Sequence, residues 1–161
     1  MVSSLDPDND PGTTDTIPFS YSNGITISPN TATAGSTVTI DVLGAGFSQL
    51  TFLPVVPPNP TDPPVSPNAH VFLVQGVYTP NANRGVAECR RAVVLNDNEL
   101  VCTLNLALNA LNPVDSSPTG SGIADGTYTL TVVATGDPAA TVGAANPTII
   151  SSGSTFTVAP Y

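Results

Sequence analysis

Residues 25–47 read ITISPNTATAGSTVTIDVLGAGF. A short alternating run ends at Ser28-Pro29, and after a turn a longer alternating run covers Thr37 to Leu43. Apolar β-branched side chains fall on one face of the longer run and polar side chains on the other, which is typical of a half-buried antiparallel strand. The glycines that follow permit backbone angles that a side chain forbids, so the chain can leave its sheet sharply before Phe47 enters the core.

Strand signals continue along the chain and are separated by turn residues. They fall at Ile17–Tyr21 with Ile25–Ile27, Val71–Tyr78, Val86–Leu95, Glu99–Leu106, Thr127–Val133 and Ser154–Val158. Phe47–Val56 is a further apolar run, residues 106–111 suit either a strand or a brief helical turn, and residues 112–126 and 136–147 read as loops. This pattern predicts an all-β, immunoglobulin-like β-sandwich of about seven to eight strands, with long Pro/Gly-rich loops and an extended N-terminal arm.

Six motifs occur in a fixed order between residues 24 and 159. They are Ile27-Ser28-Pro29-Asn30, Ala34–Ile40, Gly44-Ala45-Gly46-Phe47, Leu95–Thr103 with its cysteine, Gly126–Val132 and Ser154–Val158. Together they resemble the IPT/TIG type of immunoglobulin-like domain, interrupted here by long insertions. The resemblance implies a sandwich that serves as a spacer or binding surface, and it implies no shared active site.

The chain divides into an arm and a sandwich. Residues 1–22 are predicted to be a flexible or extended arm, and residues 23–161 the IPT/TIG-type sandwich. The arm contains Asp6, Asp8 and Asp10 at the spacing of a calcium loop, but the glycine is one position late and no Glu follows, so calcium is not predicted. Deletion of residues 1–16 is expected to leave the fold and melting temperature nearly unchanged and to weaken assembly.

A proline-rich insertion covers residues 54–68. Proline has no N–H to donate to a strand ladder, so this stretch is predicted to be an extended loop. Two interpretations stay open: a stiff surface insertion, or a loop that reaches a neighbouring molecule. On the second interpretation the partner contacts are Pro57, Pro58, Pro60, Pro63 and Pro64.

The charge of the chain is strongly negative. Twelve acidic residues face three basic ones, there is no Lys, and the net charge is -9. This balance argues against nucleic-acid binding and against binding to anionic membranes, since both need clustered cations. The three basic residues, Arg84, Arg90 and Arg91, fall in one short segment. They are either a solvated strand face or a docking patch for an acidic partner, such as another copy of this chain.

Two cysteines flank the predicted hairpin whose turn lies at Asn96-Asp97. Cys89 and Cys102 are nearly equidistant from this turn, so they are expected to lie opposite each other. They form either a cross-strand disulfide or two buried thiols. The same symmetry places Glu88 near Glu99, where these side chains are expected to offset Arg90 or Arg91.

No metal or cofactor site is predicted. The chain has only two cysteines, and its one histidine, His70, lies far from them in sequence. Since no nucleophile and base fall together either, an enzyme is not expected. Tyr128, which follows Gly126 closely, is interpreted as a plain core tyrosine rather than one whose hydroxyl reaches the backbone.

The predicted function is therefore a non-enzymatic structural or interaction protein on an exterior surface. The Met start, the lack of signal-peptide features and of a membrane-spanning run, the lack of Lys and the acidic arm favour a phage decoration protein at the virion surface. The avoidance of lysine, with enrichment in Ala, Gly, Thr, Pro and Asp, fits a high-GC host such as an actinobacterium. A protein scaffold, of the capsid or tail, and further copies of this chain are the expected partners.

Two other classes of function stay open. One is a secreted or cell-surface adhesion or filament domain. The other is a carbohydrate-binding accessory sandwich, for which a chain with no Trp and 6% aromatic residues offers few stacking surfaces.

Overall fold

The computed structural model describes residues 24–54, 62–139 and 149–160. The predicted arm and three prolines of the insertion (Pro57, Pro58 and Pro60) therefore lie outside the described residues. Within the described ranges the strands are β1 Thr26–Ser28, β2 Thr31–Thr33, β3 Thr37–Leu43, β4 His70–Val74, β5 Ala87–Asn96, β6 Glu99–Asn105, β7 Asn109–Leu111, β8 Pro118–Gly122, β9 Gly126–Val133 and β10 Ile149–Ala159. A 3-10 helix covers Phe47–Gln49.

Eight of these strands form one curled sheet in the order β1-β3-β6-β5-β4-β9-β10-β2. The curl occurs at β5, which pairs with β6 along most of its length and with β4 only at Ala87 and Glu88. The strands β1-β3-β6-β5 and β4-β9-β10-β2 are thus the two layers of a sandwich, an order that matches the immunoglobulin arrangement. The predicted all-β sandwich is confirmed.

The longest regular ladder is the one between β3 and β6. It runs without interruption from Thr37 opposite Asn105 to Leu43 opposite Glu99. Ile40 and Val42 on β3 point inward and are fully buried, because alternate residues of a strand face the same side. These side chains and those of β9 and β10 form the main core, which Phe47 also enters with no exposed surface.

The N-terminal strand is shared between the layers. Thr26–Ser28 pairs antiparallel with β3, and Thr31–Thr33 pairs parallel with β10. The cis peptide bond between Ser28 and Pro29 lies between these two segments.

Two segments differ from the prediction. The apolar run that begins at Phe47 forms a 3-10 turn, and the structure assigns no strand from there to Pro54. Its start is set by Gly46, which has a left-handed backbone (φ 82), and by hydrogen bonds to the β5–β6 turn. The predicted loop at 112–126 contains β8, which pairs with β7. Its residues are all exposed, so it carries no apolar alternation to reveal it.

A second, smaller core covers the outer face of the second layer. It consists of Phe72, Val74, Tyr78 and Val133. The ring of Phe72 stacks on His70 on one side (centroids 5.3 Å apart) and on Tyr78 on the other (5.7 Å). The segments that contain Pro64, Pro80 and Gly136 are joined by hydrogen bonds of the Arg84 side chain.

Candidate functional site

A pocket of about 290 Å³ lies along β5, where the two layers share a strand. We call it the β5 pocket. Phe52, Leu53 and Leu108 contribute apolar wall. The titratable side chains that line the pocket are Asp62, His70, Glu88, Arg90 and Arg91. It combines charged groups with exposed apolar surface, as binding sites commonly do.

A β-bulge in β5 shapes the pocket. Arg90 lies opposite Thr103 and Val93 opposite Val101, so Arg91 and Ala92 together face the single residue Cys102. Arg91 has φ 57, a left-handed conformation that is uncommon for a residue other than glycine. The bulge interrupts the alternation of the strand, so Arg90 and Arg91 are both at least partly exposed while Ala92 is buried.

His70 lies at the buried side of the pocket. Its Nδ1 is 2.5 Å from Oε2 of Glu88, and its Nε2 is 3.1 Å from Oγ of Ser66 and 3.9 Å from Oδ2 of Asp62. Because the Glu88 carboxylate only accepts, Nδ1 donates to it, and the Ser66 hydroxyl then donates to Nε2 when the ring is neutral. The second Glu88 oxygen is 3.6 Å from Nη2 of Arg90.

The order serine, histidine, carboxylate is the one that serine hydrolases use. Here Ser66 does not line the β5 pocket, and its oxygen accepts the backbone N–H of Asn68 (3.3 Å). Its carbonyl accepts the N–H of Gly136 (2.9 Å). The contacts that the described residues make thus hold the end of the proline-rich insertion against β4.

Arg84 is the largest fully buried side chain in the described part of the molecule, with 1% exposure. Its Nη2 donates to the carbonyls of Pro64 (2.8 Å) and Gly136 (2.6 Å). Its Nη1 donates to the carbonyl of Pro80 (3.1 Å), and its Nε to the hydroxyl of Ser116 (3.0 Å). One guanidinium therefore joins four loop segments.

This burial corrects the predicted cationic patch. Arg84 is not part of an exposed docking surface, because its planar donors are used by buried carbonyls. Arg90 and Arg91 remain: the Arg90 side chain is 34% exposed, and Arg91 is exposed. Sequence spacing gave no signal for the difference, since it depends on loops far apart in the chain.

Gly136 permits the close approach of these loops. A Cβ at this position would lie 2.2 Å from the carbonyl oxygen of Pro64 and 2.7 Å from Cδ2 of His70. Only a residue without a side chain fits there. As a result, Pro64 is half-buried beneath the Arg84 contact, while Pro63 stays exposed.

Cys89 and Cys102 are joined by a disulfide with an S–S distance of 2.08 Å. Of the two predicted alternatives the structure therefore has the cross-strand disulfide. The two cysteines are not directly paired in the ladder, because Cys89 faces Leu104 and Cys102 faces the bulge at Arg91 and Ala92. They are diagonal neighbours on the inner face of the hairpin, with Cα atoms 5.5 Å apart, and both are buried.

The expected closeness of Glu88 and Glu99 is also wrong. Glu99 pairs with Asn96 at the turn, while Glu88 lies near the other end of the hairpin. The neighbour of Glu99 is Asp41, and this carboxyl raises the pKa of Glu99 by hydrogen bonding and by charge repulsion. Glu88 does approach Arg90, as expected, but its main partner is His70.

Tyr128 departs from its prediction as a plain core tyrosine. The ring is buried, and its hydroxyl donates to the carbonyl of Ala124 at 2.6 Å. This is the kind of contact that forms a tyrosine corner in immunoglobulin-like sandwiches.

In the described ranges, no group of three or more His, Cys, Asp or Glu residues is arranged to hold a metal ion. The same ranges contain no helix of the length and apolarity needed to cross a membrane.

Comparison of the chain with family models, with curated proteins and with solved structures found no match. The resemblance to IPT/TIG domains therefore stays a prediction that rests on the order of the motifs.

Proposed function

We propose that this protein is a non-enzymatic structural protein on an exterior surface, and most specifically a decoration protein on the capsid or tail of a bacteriophage. The single observation that carries the proposal is that the buried Arg84 side chain forms hydrogen bonds with four loop segments. Its buried guanidinium fixes loops from four parts of the chain at one region of a rigid sandwich. Loops held in this way are the usual binding elements of a sandwich.

The proline-rich insertion is the proposed contact with the scaffold. Its described end is held by Arg84 at Pro64 and by the His70–Ser66 contact, and Pro63 is exposed beside it. Proline-rich segments lose little conformational entropy on binding, because their backbone is already restricted. The net charge of -9 makes free copies repel one another, so contacts between them are weak until a scaffold arranges them.

A secreted or cell-surface adhesion domain is the second candidate. The Cys89–Cys102 disulfide favours it, because disulfides persist in oxidising, extracellular environments. Carbohydrate binding receives less support: the large apolar side chains that are exposed among the described residues are all Leu or Val. Sugar rings stack best on aromatic side chains.

The test is to image the particle from which the native chain is isolated and to measure its mass and symmetry. Many copies in icosahedral or helical order on a larger shell or tube support decoration. A free monomer with no parent particle rejects it and favours the adhesion domain.

A pair of glycine variants tests the role of the loops. Gly136→Ala forces the Pro64 loop away and should lower the occupancy of the particle. Gly122→Ala, where a Cβ meets nothing within 4 Å, is the matched control and should bind as the wild type does. Equal occupancy for both variants would contradict the proposed contact.

A further inference from the structure

Every exposed Lys or Arg side chain of this protein lies in the β5 pocket. The whole sequence contains three such residues, all of them arginines, and Arg84 is buried. The other two, Arg90 and Arg91, line the pocket. In a chain with a net charge of -9, this is the one place where guanidinium groups meet solvent.

The two arginines differ in their ion-pair contacts. Arg90 lies 3.6 Å from Glu88, whose other oxygen is held by His70. Asp62, the other carboxylate of the pocket, accepts two hydrogen bonds from the side-chain amide of Asn68 (3.2 and 3.3 Å). Arg91 is exposed, and within the described ranges no carboxylate lies in ion-pair contact with it. Arg91 is therefore the cation of the pocket that is available to a partner.

The backbone at Arg91 supports a binding role. A non-glycine residue in the left-handed region costs on the order of 1–2 kcal/mol, so such residues persist where the surrounding structure requires them. Bulges re-aim side chains, and this one exposes Arg91 next to Arg90.

We infer that the β5 pocket binds the acidic segment at residues 5–11 of a second copy of this chain. That segment alternates Asp6, Asp8 and Asp10 with other residues, and includes Leu5 and Pro7. The pocket offers the complementary surface: guanidinium groups beside an apolar wall that includes Leu108, 51% exposed. Carboxylates pair with guanidinium, and Leu and Pro side chains cover apolar wall.

Strand register places the start of the described chain far from its own pocket. The pocket lies at the end of the β3–β6 ladder where Thr37 faces Asn105. Thr26, in β1, pairs with Leu43 at the opposite end, and the side chain of Ile25 lies against Gly44 there. The seven residues from Thr37 to Leu43 span about 20 Å. The chain thus enters the sandwich at the end remote from its own pocket. Because the residues between 11 and 25 are long enough to cover this distance, occupation by the chain's own segment is the competing outcome, and the concentration dependence of association distinguishes the two.

Such an exchange closes as a pair where two copies fill each other's pockets, and it continues as a ring or filament where each copy fills the pocket of a different neighbour. This inference rests on the proposed function, since a symmetric scaffold supplies the neighbours and raises their effective concentration. In free solution the contact is expected to be weak and sensitive to salt.

Sedimentation velocity of the full chain over a range of concentrations, at low and high salt, tests the inference. The wild type should associate as its concentration rises, and high salt should reverse this. Arg91→Asn removes the charge and suits the left-handed backbone, so it should fold and should associate at least about tenfold more weakly. Arg91→Lys keeps the charge and should retain much of the association.

The matching change in the arm is Asp6→Asn with Asp8→Asn and Asp10→Asn. It should weaken association as Arg91→Asn does, while Asp115→Asn, an exposed carboxylate elsewhere, should have little effect. A mixture of the arm variant with Arg91→Asn should associate again, because one supplies the pocket and the other the arm. Circular dichroism checks that each variant is folded.

A wild-type chain that stays monomeric at every concentration overturns the inference, and so does association that neither variant weakens. If both variants weaken association but their mixture does not restore it, the arm does not bind the neighbour's pocket. The two hypotheses can fail separately. If the arm variants do not affect association, a particle that carries this chain in symmetric order still supports decoration. If no particle exists, association in solution that depends on Arg91 and on the arm still supports the pocket contact.

Discussion

The carboxylate of Asp97, in the turn between β5 and β6, accepts hydrogen bonds from Ser48, in the 3-10 helix that follows β3. Ser48 donates both its backbone N–H (3.3 Å) and its hydroxyl. The N–H of Gly46 donates to the same carboxylate (3.3 Å), and the N–H of Phe47 to the Asp97 carbonyl (3.0 Å). Two turns that are far apart in sequence are thereby held together over the end of the core.

Asp97→Asn should destabilise the fold and change its dependence on pH. The hydrogen bonds from Ser48 and Gly46 lower the pKa of Asp97 below its ordinary value of 3.8. The contribution of Asp97 is therefore present above that ordinary value and is lost as pH falls through the lowered pKa. Thermal melts between acidic and neutral pH should show a lower Tm for the variant at pH 7, and a difference that shrinks on acidification.

Asp125→Asn makes the same charge change at an exposed position and should leave the Tm nearly unchanged. A constant difference between Asp97→Asn and wild type across this pH range would contradict the assigned role of the carboxylate.

The Asp97 contact also shows where sequence reasoning succeeds. The alternation in Thr37–Leu43 predicts β3 with its observed bounds, because strand period and burial are local properties. The Asn96-Asp97-Asn98 turn likewise predicts the β5–β6 hairpin within a residue or two. Gly44 and Gly46 mark the sharp exit from β3, but only the tertiary structure reveals their partners, Asn98 for Gly44 and Asp97 for Gly46.

The site was harder to predict, because its contacts join distant segments. Arg84 lies in the same short segment as Arg90 and Arg91, and only the tertiary structure buries it among loop carbonyls. His70 pairs with Glu88 because β4 lies beside β5, a register that no local pattern reveals. The sequence does not predict the bulge at Arg91 either, because an arginine, and not the usual glycine, occupies the left-handed position.

Glu99→Gln should stabilise the protein at neutral pH. Asp41 raises the pKa of Glu99 above its ordinary value of 4.5, so the folded state binds this proton more tightly than the unfolded state. The free energy of unfolding therefore falls as pH rises from the ordinary value through the raised pKa. Urea unfolding at several pH values should show this fall in wild type and a flatter profile in the variant.

Asp41→Asn removes the other member of the pair and should have a similar effect at neutral pH. Because either change abolishes the repulsion, the double variant should gain less than the sum of the two. Full additivity would show that the two carboxyl groups do not interact.

Arg84→Lys should destabilise the protein by about 2–4 kcal/mol, because a lysine ammonium cannot reach four acceptors in the plane of a guanidinium. The carbonyls of Pro64, Pro80 and Gly136 would then lose a charged donor. Chemical denaturation gives the difference. Arg90→Lys, at a partly exposed ion pair, is the control and should change stability by less than about 1 kcal/mol. An equal loss of stability in Arg84→Lys and Arg90→Lys would show that the hydrogen bonds of Arg84 stabilise the fold no more than the surface ion pair of Arg90 does.

Replacement of Cys89 and Cys102 together by Ala should lower stability by about 3 kcal/mol, since the disulfide closes a short loop in the unfolded chain. The same unfolding experiment measures the loss. A direct check is alkylation after denaturation without reductant: the wild-type chain should take up no label, and reduction should expose both thiols. Labelling before reduction would show that the cysteines are free.

Two buried tyrosines provide a matched comparison. The Tyr128 hydroxyl donates to the Ala124 carbonyl, whereas the Tyr78 hydroxyl has no hydrogen-bond partner among the described residues. Burial raises the pKa of both, and Arg84 partly opposes this at Tyr78. Tyr128→Phe should therefore cost about 1 kcal/mol, while Tyr78→Phe removes an unpaired polar group and should be neutral or stabilising.

Thermal and urea unfolding of the two variants at neutral pH measure these effects, because each change removes a single oxygen from a ring that stays in place. A loss at Tyr78 as large as that at Tyr128 would show that Tyr78 has a partner of its own. Equal neutrality at both positions would show that the Ala124 contact adds nothing, and that Tyr128 acts through its ring alone.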